Sequence, residues 1–261
     1  MIKNTVIITA EKKDKTIIKT IQSCLNQVNK NFEIIVVYSK FEDENMIKKS
    51  IKSKKVIFFK IKKKLKNKVR DQLFKIEQSL KISKGRNIFL LDGDDIFNKK
   101  KIEIISKIIN NREIMILDNY FTISNNAKFK NKIMNHKKNY FYKRFINDWP
   151  KNVCTSAISI ERKLLFKFFK EIKISKYKYL AIDILLAIYC NRGGKLLRVN
   201  KFFTNKIELS DSVDKNYVGY DNRLYWHRRL EQHRYNFFIK KKSYFNFDFL
   251  ISYILSFLFR I

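Results

Sequence analysis

Asp92-Gly93-Asp94-Asp95 places three carboxylates around one glycine. Like charges at that spacing repel, so at least one pKa should rise unless a cation sits among them. A hard divalent ion with oxygen ligands is the natural partner. The plain alternative is a polar turn in which Asp94 or Asp95 caps the helix expected from Lys99. Three aspartates directly after an apolar run favour the metal. A further lone carboxylate, Asp183, stands within Ala181-Ile182-Asp183-Ile184-Leu185-Leu186. A carboxylate against apolar walls should have a raised pKa, which suits a base working near neutral pH. The competing reading is a surface aspartate, because Asp183 falls opposite Leu185 on a helical wheel. Asp211 and Asp214 are the fallback candidates for the same role.

Basic and aromatic groups are the other source of chemistry. Residues 60–68 form a lysine run, which is usually a solvated face but could gather an anionic substrate or lipid. Arg70 and Gln72 open a helix aimed at the carboxyl end of the sheet. Arg70 either reaches a diphosphate there or lies on the surface. Trp226, Arg229, Leu230 and His233 share one helical face, with Arg228 beside it; they would clamp a diphosphate or stack on a sugar, or else pack as core. His227 and Glu231 are four apart, but two ligands do not define a zinc site.

Around these groups the sequence must build a scaffold. Its 261 residues, 45% hydrophobic with a single proline, suffice for a sizeable core in one domain or one and a half. The heavy use of Lys, Asn, Ile and Phe discounts the net charge of +33 only in part, and such a charge favours anionic partners. Cys24, Cys154 and Cys190 are scattered and odd in number, which reads as free buried thiols in a reducing compartment. The first apolar run is too short for a signal peptide and reads as a strand.

Apolar runs at 6–9, 33–38, 56–59, 87–91 and 114–117 read as buried strands. Helical spacing at 17–28, 46–51, 69–80 and 102–109 separates them, with Gly85 as a helix stop. This alternation predicts an α/β fold with a mostly parallel sheet and helices on both faces. The turn 9–14 lacks glycine, which excludes a P-loop and a dinucleotide fingerprint. Beyond Ile123 the pattern loosens. Residues 125–139 read as a polar loop or insertion, 155–160 and 196–199 as strands, and 164–169, 179–190 and 224–238 as helices. In the closing helix, 244–259, Asp248, Ser252, Ser256 and Arg260 form a narrow polar stripe. It is shorter than the roughly twenty residues of a membrane span. It would dock on a partner, lie in a membrane interface, or pack on the protein's own sheet.

Four stretches together resemble glycosyltransferase family 2 of bacteria. They are Val6-Ile7-Ile8-Thr9 with Ser23-Cys24-Leu25-Asn26-Gln27, then Asn31-Phe32-Glu33-Ile34-Ile35-Val36-Val37, then Lys84-Gly85 with Leu91-Asp92-Gly93-Asp94-Asp95, and lastly Asp183 in its apolar helix. The resemblance implies the A-type glycosyltransferase fold, with a Rossmann-like nucleotide-binding half over 1–123. A mixed acceptor half would follow over 124–215 and a C-terminal helical extension over 216–261. It implies an inverting, metal-dependent transfer from a UDP- or GDP-type nucleotide-sugar donor to a glycan or lipid-linked acceptor in cell-surface glycan synthesis. Asp94 and Asp95 would hold Mg²⁺ or Mn²⁺, and Asp92 would contact the ribose or donor sugar. Thr9, Ala10 and Glu11 would touch the nucleoside, and Asp183 would serve as general base. Where the family carries an aspartate pair after the second strand, this chain has Tyr38-Ser39; Tyr38 would stack on the base and Ser39 would hydrogen-bond it. Charge and the last helix imply a cytoplasmic protein, peripheral at the inner face of the cell membrane, with an anionic membrane surface as a partner. The competing functions are a nucleic-acid-binding protein, which no recognised module supports, and a catalytically inactive scaffold.

Overall fold

The computed structural model describes residues 3–11, 14–41, 43–124, 127–132, 150–208, 217, 219–240 and 246–258. The first half alternates as its apolar spacing predicts. Strand β1 (Asn4–Thr9) leads to helix α1 (Asp14–Leu25), β2 (Phe32–Tyr38), α2 (Glu44–Ser50), β3 (Val56–Lys60), α3 (Lys68–Ile82) and β4 (Asn87–Asp92). Pairing is parallel throughout β3-β2-β1-β4. Every residue of β1 and β2 is buried because helices cover both faces of the sheet. The alternation of side chains sorts the core in two. Ile7 joins Leu73, Ile76 and Leu80 of α3 on one face, while Val6 and Ile8 join Ile17 and Ile21 of α1 on the other.

Past the acidic turn come the short β5 (Ile96–Phe97), α4 (Lys101–Ile109), β6 (Met115–Ser124) and β7 (Ala127–Asn131). A 3₁₀ turn (Thr155–Ala157) precedes β8 (Ile158–Glu161). Then follow α5 (Arg162–Glu171), α6 (Ile182–Arg192), β9 (Leu196–Ile207), α7 (Arg223–Lys240) and α8 (Phe247–Leu258). The full strand order is β3-β2-β1-β4-β8-β6-β9-β5, with β7 against β6. Strand β8 runs antiparallel to both β4 and β6, so the sheet continues without a break across residue 123.

Several expectations are corrected. Part of the stretch expected as a loop at 125–139 is strand β7; residues 125–126 and 133–139 lie outside the described set. Strand β9 runs on to Ile207, well past the expected end at 199. Gly85 is not a helix stop: α3 ends at Ile82, and a Cβ on Gly85 would sit 2.4 Å from Asn4 C and Thr5 N. Glycine lets this bend lie against β1. There Gly85 N donates to Thr5 Oγ1, which in turn donates to Glu33.

Lys101 is fully buried at the first turn of α4. Its Nζ pairs with Asp118 at 2.8 Å and donates to Ser156 O and Thr204 Oγ1. One ammonium thus fastens α4, β6, β9 and the 3₁₀ turn beneath the cleft described next. Burial pushes the Asp118 carboxyl up, against the pull of Lys101.

Candidate active site

Strands β1 and β4 end side by side, Thr9 opposite Asp92. Thr9 Oγ1 and Gln72 Nε2 both donate to Asp92 Oδ1, at 3.1 and 2.7 Å. The chain then turns sharply, with Gly93 N donating to Thr9 O and Thr20 Oγ1 donating to Gly93 O. A Cβ on Gly93 would lie 3.2 Å from Ala10 Cα and Thr9 O, so a larger residue would crowd the exit of β1.

The turn is not a helix cap. Strand β5 follows it directly, and Lys100 occupies the N-cap position of α4. Asp95 is anchored instead. Its Oδ2 accepts from Ser156 Oγ at 2.5 Å and its Oδ1 from Ile207 N at 2.8 Å. Ser156 Oγ also accepts from Asp92 N, so one hydroxyl ties both ends of the acidic turn to the 3₁₀ segment.

Asp92, Asp94 and Asp95 line a cleft of about 540 Å³ at the carboxyl ends of β1 and β4. Thr9, Ala10 and Glu11 form its wall on the β1 side, and Asp183 opens on the same space. Asp183 sits in the first turn of α6, where its Oδ1 accepts from Ile184 N at 2.7 Å. Asp211 and Asp214 lie outside the described residues.

Electrostatics follow the expected crowding. Burial first, then the charges of Asp95 and Asp94, push Asp92 well above the ordinary carboxylate range. Burial first, then Asp94, raises Asp95 to about 7, against the hydrogen bonds from Ser156 and Ile207. Lys206, near the end of strand β9, opposes both shifts and lines the cleft.

Three expected contacts are corrected. Tyr38 is fully buried, its ring stacked on Phe41 at 4.1 Å and its hydroxyl donating to Glu44. Ser39 does not line the cleft either. Arg70 turns away to donate to the carbonyls of Tyr177 and Ser175, because α3 here packs against that segment. Gln72, two residues on and so on the opposite side of α3, reaches the cleft in its place.

The basic aromatic helix divides its residues. Trp226 is core, with Nε1 donating to Tyr220 O, and Arg229 pairs with Asp248. Arg228 alone of that group reaches the cleft, its guanidinium 4.8 Å from the Tyr217 ring. Tyr179 stacks on His227 at 5.5 Å and meets Tyr217 edge-on. Glu231 accepts from the backbone N–H groups of Lys178, Tyr179 and Leu180, which holds the lead-in to α6 and Asp183. From the lysine run, Lys64 and Lys68 line the cleft.

Sequence reasoning missed Lys206, Thr155, Ser156 and Lys75. Lys75 is buried, pairs with Asp71 at 2.8 Å and donates to Ala10 O, so it holds the loop after β1. The one available signal was the i, i+4 spacing of Asp71 and Lys75 on α3.

A parallel half whose acidic turn meets the ends of β1 and β4, continued by antiparallel β8, has the arrangement of the A-type glycosyltransferase fold. Solved structures agree on that fold. The Staphylococcus aureus TarS fragment 1–349 with UDP-GlcNAc matches at TM-score 0.64 and 11% identity, over 97% of this chain and 70% of that one. The same fragment with UDP matches at TM-score 0.62 and 11% identity, over 97% and 69%. An uncharacterized glycosyltransferase of Methanocaldococcus jannaschii is 28% identical over 218 residues, 75% of this chain and 73% of that protein. The glycosyl transferase family 2 model matches residues 5–171, and the chain belongs to that family.

Proposed function

We propose that this glycosyltransferase moves a sugar from a nucleotide-diphosphate donor to a hydroxyl of a glycan or lipid-linked acceptor, with inversion, in cell-surface glycan synthesis. The observation that carries the reading is the shared cleft: the acidic turn and Asp183 open on one space. Family membership supplies the reaction class, and TarS, a neighbour in fold, is a protein seen with UDP and with UDP-GlcNAc.

The nucleoside lies along Thr9, Ala10 and Glu11, with Asp92 toward the ribose or donor sugar. Residues 1–123 form the donor half, 124–215 the acceptor half and 216–261 an extension that walls the acceptor side. Among the described residues no three His, Cys, Asp or Glu side chains form a ready-made metal site. Mg²⁺ or Mn²⁺ takes one or two carboxylates and completes its shell with substrate phosphates and water, and the acidic turn offers carboxylates on the cleft. Asp94 would hold the ion directly, and Asp95, with both oxygens already accepting hydrogen bonds, would position it. When bound, the ion supplies charge neutralisation to the departing diphosphate. Lys206 and Arg228, both on the cleft, add positive charge on the protein side.

Asp183 takes the proton of the acceptor hydroxyl. The oxygen's electron pair then forms the new bond to the anomeric carbon. The bond to the diphosphate breaks on the opposite face, and the nucleoside diphosphate leaves with that electron pair. A single displacement of this kind inverts the carbon. The protein works at the cytoplasmic side of a membrane.

Calorimetry with purified protein, Mn²⁺ and UDP- or GDP-sugars tests the assignment. Metal-dependent binding should occur in the wild type and vanish in Asp94→Ala. Metal-dependent binding retained by the variant would refute it.

A further inference from the structure

Helix α8 is built inside out. Asp248, Ser252 and Ser256, four apart, face the protein: Arg229 pairs with Asp248, and Ser252 and Ser256 are buried. Ser252 Oγ lies 3.4 Å from His233 Nε2, and the His233 ring meets Phe249 edge-on. The opposite face is apolar and exposed. Phe247, Leu250, Ile254 and Leu258 are 46–62% accessible, and Tyr253 lies among them. Helix α7, which holds α8, adds exposed Phe237 and Phe238. A stripe of this size on solvent is a docking face rather than scattered surface residues.

We infer that this face lies on an anionic lipid bilayer, parallel to its surface. Two observations select that occupant. Helix α8 sets a polar stripe toward the protein and an apolar face toward solvent along Phe247–Leu258, the pattern of a helix that lies in a membrane interface. The chain carries a net charge of +33, which draws it to anionic headgroups and makes a second copy of itself repel. Large apolar side chains with long-range positive charge are the two signals that stable surface binding needs. Helix α7 touches both features: Arg228 lines the cleft, and its neighbour Arg229 holds α8.

Co-sedimentation with vesicles tests this, independently of donor chemistry. Wild-type protein should pellet with mixed phosphatidylglycerol–phosphatidylcholine vesicles and stay in solution with pure phosphatidylcholine. Leu250→Ser, Ile254→Ser and Leu258→Ser combined should lower partitioning on the order of a hundredfold. All three side chains are at least 46% accessible, so the variant should keep its melting temperature and its Mn²⁺-dependent donor binding. Failure of the wild type to bind anionic vesicles would overturn the inference, as would equal binding to neutral ones. A wild-type dimer that the triple variant converts to monomer would assign the face to a second copy and overturn it too. Vesicle binding without donor binding would leave this inference standing and strike only the catalytic reading.

Discussion

Asp183, the base in the proposed reaction, sits in the first turn of α6, on the same cleft as the acidic turn, with one oxygen engaged by the backbone N–H of Ile184. Helix α7 fixes the segment before it through Glu231. Replacing Asp183 by Asn keeps shape and polarity but removes the proton acceptor. Asp183→Asn should therefore lower kcat by about 10²–10⁴ while donor affinity stays within about threefold, since the donor would sit on the other wall. Steady-state kinetics alongside calorimetry reads the two separately. An equal loss in both would make Asp183 a donor contact instead. At this scale the carboxylates were legible because acids are scarce here, 24 against 57 lysines and arginines. Lys101, Lys75 and Lys206 were not, because a buried or cleft lysine looks in sequence like any of its many solvated neighbours. Tyr38 and Arg70 misled for a related reason. Position after a strand or at a helix start fixes where a backbone goes, but neighbours such as Glu44 and the Tyr177 carbonyl decide where the side chain points.

The elements divide by how their burial is patterned. Strands β1, β2 and β4 were legible as uninterrupted apolar runs because both faces are covered. The outer half of β9 carries Lys201, Asn205 and Lys206 among half-buried positions, so neither an apolar run nor a clean alternation marks it. Yet that half carries Lys206 and, at Ile207, the N–H that anchors Asp95. The inward polar stripe of α8 was visible as a stripe, but its direction was not: polar residues face outward on an ordinary surface helix. Its attachment makes a pH prediction. Burial works to raise the Asp248 carboxyl, but the hydrogen bonds of His233 and Arg229 outweigh it and hold the pKa at about 2, below the ordinary 3.8. A carboxylate with a depressed folded-state pKa stabilises the fold above its unfolded value and loses that contribution as pH falls through the folded one. Wild type should exceed Asp248→Asn in stability by on the order of 1 kcal/mol at pH 6, since solvent screens part of the pair. The gap should close between about pH 4 and 2 in calorimetric melts. A gap that does not change with pH would mean the contact is not ionic.

For the molecule as a whole, a net charge of +33 admits two very different polyanions, a membrane and a nucleic acid. The fold decides where small anions go. The cleft gathers Lys64, Lys68, Lys206 and Arg228 around a space of about 540 Å³, and the apolar outer face of α8 has no counterpart in polyphosphate binding. Binding of a nucleotide-sugar and binding of a nucleic acid separate in salt. A protein that neutralises six to ten phosphates releases as many counterions and loses roughly 10³–10⁵ in affinity between 50 and 200 mM salt. A nucleotide-sugar presents one diphosphate, and in the proposed reading a metal on Asp94 would meet most of its charge at short range, where screening is weak. Donor affinity measured with Mn²⁺ should therefore fall by no more than about threefold across that range. Binding of a long single-stranded RNA, if it occurs, should collapse with the steep slope of a surface effect. An RNA complex that survives the higher salt while donor binding does not would reverse the assignment. The charge would then be a nucleic-acid footprint, and the acidic turn would have another purpose.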